Sequence, residues 1–428
     1  MRHILAGITA LCIAGCGGGG GSGMVSTTTP VTDAAVASLK FQYYASSAYP
    51  ISYIYTKDID GDGIDEIFFA AFQSQPATPE TYTNTSIHIF GWQHGQFREI
   101  TDRWLPNDSN KVQGVGDVCF GDFNGDGLVD VFLSAYTDMN LAAVPYVLIN
   151  LGSSFEKKAL SAQTWQHGVA CGDINNDGFD DVVPVGWSSM PTYIGSPQGL
   201  MEYQGALVGA GVSLGRFNGN SVQAVVTDVN NQGPNDTRLF SISVDSKLQT
   251  VTYQQVLVLP PVLIDQNLNT GNASHDMRVR AVDFDNDGLT DIVVFSVRAQ
   301  VPVGSTYQSE IQFLKNTGNR IFVDVTDSIR QGYNTASMLG YVPNFKDFNN
   351  DGLLDLFVSG VADTGTNILL QNSQGQFVSR SDLITTWNIQ PSEQVAIAKG
   401  PGNQFYLVKE TSWTHDGWTK ISIKPISF

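Results

Sequence analysis

Apolar residues along this chain come in short runs with a recurring preface. Val131-Phe132-Leu133 and Ile292-Val293-Val294 each follow a segment in which Asp or Asn alternates with other residues around glycine. That segment occurs five times: DIDGDGIDE from Asp58, DFNGDGLVD from Asp122, DINNDGFDD from Asp173, DFDNDGLTD from Asp283 and DFNNDGLLD from Asp347. Short β-type residues precede each copy, so the pattern predicts a tight turn joining two strands. Further along each unit, apolar and polar residues alternate around a Gly-containing turn. Examples are IHIFGWQHGQFREITD from Ile87, VLINLGSSFEKKA from Val147, IQFLKNTGNRIFVDVTD from Ile311 and ILLQNSQGQFVSRSD from Ile368. Such alternation predicts half-buried strands paired in a hairpin.

Two worn copies fill the gaps in the series. Arg216 opens RFNGNSVQA and Lys399 opens KGPGNQF, each followed by an apolar run. The seven starts are separated by enough chain for four strands apiece. Seven such units predict an all-β fold over residues 35–428, a seven-bladed β-propeller of four-stranded antiparallel blades, in which radial packing leaves only short edges. The last unit supplies strands near Val395–Lys399, Phe405–Lys409 and Lys420–Ile426 and then runs out of chain. The segment Ala37–Ala45 has no place in the first blade, so it is expected to complete the last blade as its outermost strand.

The turns carry the candidate chemistry. Calcium takes six to eight hard oxygens, and a tight loop with ligands at alternate positions supplies them. The expected ligand sets are Asp58, Asp60, Asp62, Glu66 and the Ile64 carbonyl; Asp122, Asn124, Asp126, Asp130 and the Leu128 carbonyl; and Asp173, Asn175, Asp177, Asp181 and the Phe179 carbonyl. Two more are Asp283, Asp285, Asp287, Asp291 and the Leu289 carbonyl, and Asp347, Asn349, Asp351, Asp355 and the Leu353 carbonyl. Five calcium ions are therefore expected, in blades 1, 2, 3, 5 and 6. The worn copies at Arg216 and Lys399 have lost the first and last acids and are expected to hold none. An EF-hand would need glutamate at the twelfth position, where this chain has Phe69, Leu133, Pro184, Val294 and Val358.

Turn and hairpin together resemble the FG-GAP/VCBS repeats of integrin α-chain propellers and bacterial surface proteins. The resemblance covers roughly residues 35 to 428. It implies a calcium-bearing propeller and leaves function open, because the family includes adhesins, lectins, toxin parts and a few polysaccharide lyases.

Charge and the N-terminus narrow the setting. The formal net charge of −18 lacks the basic stripe that nucleic-acid binding requires. Part of the excess has a local cause, since the turns at Asp58 and Asp283 each bring four carboxylates and the other three bring three each. Arg2 and His3 precede the apolar run Ile4 to Ala14, too short to span a bilayer and suited to a secretory signal. The run ends Ile13-Ala14-Gly15-Cys16, which resembles the bacterial lipobox. That resemblance implies residues 1–15 as a lipoprotein signal peptide, lipidation at Cys16, and 16–34 as a Gly-rich linker. The protein is then expected at the bacterial cell envelope, on the outer membrane and facing either the periplasm or the surface. An ordinary signal peptide with a chance cysteine is the alternative.

If the turns occupy one face of the disc, six of the seven tryptophans map to the opposite face: Trp104, Trp165, Trp187, Trp387, Trp413 and Trp418. The long connections 72–86, 228–238, 264–278 and 296–310 map there too. Indoles beside amide and carboxylate groups suit stacking on sugar rings or a protein hot spot. The alternative for each is core packing, with Trp104 and Trp387 closing blade ends. His167, His275 and His415 share this face, yet no nucleophile motif, His-rich metal site or Gly-rich phosphate loop accompanies them. The expected role is therefore a binding protein for a glycan or protein ligand. A scaffold subunit of an envelope complex and a polysaccharide-active enzyme, lyase or hydrolase, are the alternatives.

Cys119 and Cys171 lie three and two residues before the first ligand of adjacent turns. Their parity permits contact between neighbouring blades, and an exported compartment favours a disulfide. The sign of the side-chain direction stays open, so they either meet or point apart.

Overall fold

The structure is a computed structural model that describes residues 37–40, 50–73, 85–136, 143–161, 166–186, 190–228, 237–261, 274–298, 308–331, 343–359, 367–387, 389, 393–411 and 418–428. Seven antiparallel sheets surround an axis, as the repeat predicts. Blade 1 runs outward from Pro50–Lys57 through Glu66–Gln73 and Thr85–Gln93 to Gln96–Glu99. Blades 2 to 6 repeat this order, with innermost strands Val115–Gly121, Gln166–Gly172, Gly211–Gly215, Ser274–Val282 and Asn344–Lys346.

Blade 7 takes Gln394–Lys399, Phe405–Thr411 and Trp418–Pro425 from the end of the chain. Its fourth strand is Ala37–Lys40, with Ala37 opposite Ile421 and Lys40 opposite Trp418. The expected closure by exchange of chain ends is therefore present. Residues 41–45 of the expected closing segment lie outside the described residues.

Burial explains why each second strand is largely apolar. Asp130–Ala135 and Asp181–Gly186 are buried at every residue. Successive side chains face opposite neighbours: Val131 and Leu133 join a core with Phe68 and Ile89 of blade 1, while Phe132 joins one with Val182 and Tyr193 of blade 3. Outer strands contact a neighbour less, so Phe155–Ala159 and Gln96–Glu99 bury only alternate or single side chains. A fully buried Phe132 contributes about 1.5–3 kcal/mol relative to an exposed one.

In six of the seven turns the second position anchors the turn. Ile59, Phe123, Ile174, Phe217, Phe284 and Phe348 are all buried. Phe217 keeps this role in blade 4, where the acids of the turn are lost. Adjacent innermost strands in blades 2 and 3 are joined by a disulfide between Cys119 and Cys171, with Cα atoms 5.7 Å apart. The parity left open in the sequence resolves in favour of contact.

Candidate metal centres and axial channel

Each intact turn folds around its first aspartate. The amide of the glycine at the sixth position donates to that carboxylate in all five: Gly63 to Asp58 at 2.9 Å, Gly127 to Asp122 at 2.8 Å, Gly178 to Asp173 at 3.0 Å, Gly288 to Asp283 at 2.9 Å and Gly352 to Asp347 at 2.9 Å. The fifth-position aspartate accepts from the amide two residues on, as Asp62 does from Ile64 at 2.8 Å and Asp126 from Leu128 at 2.9 Å. These bonds curl the side chains toward one centre. Curling needs left-handed backbone at the fourth and sixth positions. Gly61 and Gly63 adopt it in blade 1, Asn176 and Gly178 in blade 3. Glycine and asparagine tolerate that region, which is why the fourth position alternates between them.

The ninth-position acid, a candidate ligand, is also a bracket. Asp130 Oδ2 accepts from the Phe123 amide at 3.0 Å, and its Oδ1 from the Asn150 amide at 2.7 Å. Asp181, Asp291 and Asp355 repeat this arrangement. Each ties its turn to the third strand of the same blade.

The donor set fits a hard cation. Oxygens of Asp58, Asp60 and Glu66 lie within 4.8 Å of one another, as do those of Asp283, Asp285 and Asp287. Asp60 Oδ1 and Asp285 Oδ1 are buried with no hydrogen-bond donor, and an orphaned carboxylate oxygen there calls for a positive partner. Burial, reinforced by neighbouring carboxylates, pushes Glu66 up to about 8, Asp181 and Asp291 to about 7, and Asp130 and Asp355 to about 6. In blade 5 the Lys315 ammonium is paired with Asp285, and with Asp287 at 3.0 Å, and supplies part of that charge from the protein itself. In blades 2, 3 and 6 the third position is Asn124, Asn175 or Asn349, whose amide group donates to the fifth-position aspartate at 2.8–2.9 Å.

The worn turns are shorter. In blade 4, Gln223 sits opposite Gly215 where Asp130 sits opposite Gly121 in blade 2, so one residue is deleted and glutamine replaces the acid. In blade 7, Lys399 pairs directly with Phe405 across a tight turn.

Residues from four blades meet in the channel. Tyr55 donates to Asp117 Oδ1 at 2.9 Å. The Val169 amide reaches Asp117 Oδ2 at 3.2 Å, and Arg278 Nη1 lies 3.6 Å from the same oxygen. Arg278 also donates to the His167 carbonyl at 3.0 Å. Burial and the Arg278 charge lower His167 to about 3, so its ring is neutral. Burial raises Tyr55 well above the usual phenol range. The Asp117 carboxylate is thus engaged from three sides.

Of the six tryptophans expected on the ligand face, the described residues include the side chains of two, and both are buried. Trp104 is fully buried, its ring 4.9 Å from Phe155, and Trp387 is buried with Lys424 over its ring. Both close blade ends, because an indole in the short helical segment after the fourth strand covers the blade's outer core. Trp165, Trp187 and Trp413 lie outside the described residues, as does the side chain of Trp418. His415, the side chain of His275 and residues 1–36, with Cys16, also lie outside them. Sequence reasoning missed the clasps at the eighth position. Asp180 of blade 3 accepts from the Asp122 amide at 2.9 Å, and its own amide donates to the Asp122 carbonyl at 2.8 Å. An acid at this position in only two of five turns was the available signal.

Three stretches, residues 58–133, 122–183 and 283–358, match the model of the FG-GAP-like repeat. No curated protein matches the chain significantly. Among solved structures, an α-L-arabinofuranosidase from Fusarium graminearum, in complex with an iminosugar inhibitor, aligns at a TM-score of 0.47 and 9% identity, over 87% of this chain and 92% of its own. A biofilm matrix protein of V. cholerae aligns at 0.31 and 11% identity, over 87% of each chain. The protein is therefore a seven-bladed β-propeller in which three stretches match the FG-GAP-like repeat.

Proposed function

We propose that the protein is a calcium-stabilised binding propeller, held at the bacterial cell envelope by a lipid on Cys16. The observation that carries the metal is the pair of buried, donorless oxygens on Asp60 and Asp285, each within a convergent cluster of carboxylates. Calcium would be held by the first, third, fifth and ninth side chains and the seventh carbonyl of the turns in blades 1, 2, 3, 5 and 6. It supplies charge neutralisation there and no chemistry of reaction. At calcium about tenfold above Kd, each site adds about 1.4 kcal/mol to stability.

Binding is favoured over catalysis by the state of the acid–base groups in the channel. Asp117 is saturated with donors, and His167 is buried and neutral. The described strands of blades 1, 4 and 5 leave and re-enter the sheets, around 74–84, 229–236 and 299–307, on the face opposite the turns. That face is where a glycan or protein ligand would be met, with Trp165, Trp187, Trp413 and Trp418 as its aromatic contacts. The test is a glycan array and an envelope pull-down, each run with calcium and with chelator. Retention of a ligand only with calcium supports the reading. Product release from polysaccharide would replace it with the enzyme reading. Palmitate labelling that Cys16→Ser abolishes tests the anchor.

A further inference from the structure

A pocket lies on the same face as the turns. The innermost strands of blades 6, 7 and 1 end in Lys346, Lys399 and Lys57, whereas the other four end in Gly121, Gly172, Gly215 and Val282. The three lysines line a cavity of about 330 Å³, together with Asp65 and Asp58. Lys346 Nζ is paired with Asp65 Oδ2 at 3.0 Å. Among the described residues, neither Lys57 nor Lys399 has a carboxylate within ion-pair distance. In a chain of net charge −18, three lysines line one pocket against two carboxylates. Their numbers are far apart in sequence and meet only because the ring closes.

We propose that this cavity is an oxyanion site for a phosphate monoester group. The Asp58 carboxylate at its rim is committed to the first turn, so this inference rests on the calcium reading of that turn. Three lysines against the two lining carboxylates, Asp58 and Asp65, leave an excess of one positive charge at the cavity. A phosphate monoester carries about two negative charges at neutral pH, against one for a uronate. Lysine offers a compact charge with three donors on a flexible stem, which suits a group whose oxygens point in several directions. Thr56 and Asn344 also line the cavity and add neutral polar groups to it.

The experiment is calorimetric titration of the full chain, loaded with calcium, against glucose 6-phosphate, glucuronate and glucose. Binding is expected for glucose 6-phosphate, weaker for glucuronate and absent for glucose, and it should weaken as salt rises. Lys57→Gln and Lys399→Gln should each weaken it about tenfold with the melting temperature unchanged, whereas Lys247→Gln, in an outer hairpin, should not. Absence of glucose 6-phosphate binding to the calcium-loaded protein overturns the proposal. So does equal binding by the two lysine variants, or glucuronate binding as well as the phosphate ester. The calcium reading is judged separately, by the shift in melting temperature that calcium causes with no ester present.

Discussion

Asp65 and Lys399 clasp each other across the ring closure. The Asp65 amide donates to the Lys399 carbonyl at 2.8 Å, and the Lys399 amide donates to Asp65 Oδ2 at 2.7 Å. The pair joins blade 1 to blade 7 as Asp180 and Asp122 join blades 3 and 2. Asp65 is buried and also receives Lys346. Asp65→Ala would leave the Lys399 amide without its acceptor and remove the Lys346 partner. A loss of about 1–3 kcal/mol is expected, read as a lower urea midpoint with unchanged slope. An unaltered midpoint would show that the closure does not depend on this clasp.

Calcium should govern thermal stability. Chelation leaves clustered carboxylates without a counter-ion, so EDTA should lower the melting temperature. Ca²⁺ should restore it and Mg²⁺ should do so poorly, because Mg²⁺ demands a smaller octahedral shell. Asp126→Ala should reduce the calcium effect, whereas Asn220→Ala, in the worn turn of blade 4, should not. Melting curves with and without verified metal removal decide the matter.

The pH response should change sign with calcium. Without metal, Glu66, Asp130, Asp181, Asp291 and Asp355 have folded values of about 6 to 8, above their ordinary 3.8 or 4.5. The folded state then binds more protons than the unfolded one, so stability falls as pH rises from about 4 to about 8. Each group contributes at most about 1.4 kcal/mol per pH unit in its window. Calcium requires the same groups ionised, so the loaded protein should gain stability over that range. The two melting profiles should converge near pH 5 and separate toward pH 8. Parallel profiles would contradict it.

The Cys119–Cys171 bond closes a loop with a sequence separation of 52 residues. Chain-entropy reasoning gives about 4 kcal/mol for a loop of that length. The double replacement of Cys119 and Cys171 by alanine should lower stability by about 2–5 kcal/mol. Thiol titration of the denatured, unreduced protein should find neither cysteine free. Detection of both would remove the bond.

The repeat was legible because the acidic turn fixes residue types at fixed spacing, and Asp122 or Asp347 can be read without neighbours. The closing strand at Ala37 was legible by elimination, since blade 7 lacked a partner. Cys119 and Cys171 were legible to parity only, because alternation along a strand does not say which face looks which way. Trp104 and Trp387 misled because an indole is equally suited to a surface platform and to capping a blade core, and composition does not separate the two. Gln223 was hidden by a single deletion that shifted the turn's numbering. Lys57, Lys346 and Lys399 were invisible because their proximity is a product of closure, which no local window contains.

The joining of Ala37–Lys40 to Trp418–Pro425 sets an order of events. This early strand of the nascent chain has no partner until the last blade has been made, so its hydrogen-bonding edge stays bare through synthesis. The penalty for bringing the ends together grows only logarithmically with the intervening length. Waiting, rather than distance, is the hazard: until the final blade arrives, every partly made molecule carries an open edge that another copy could occupy.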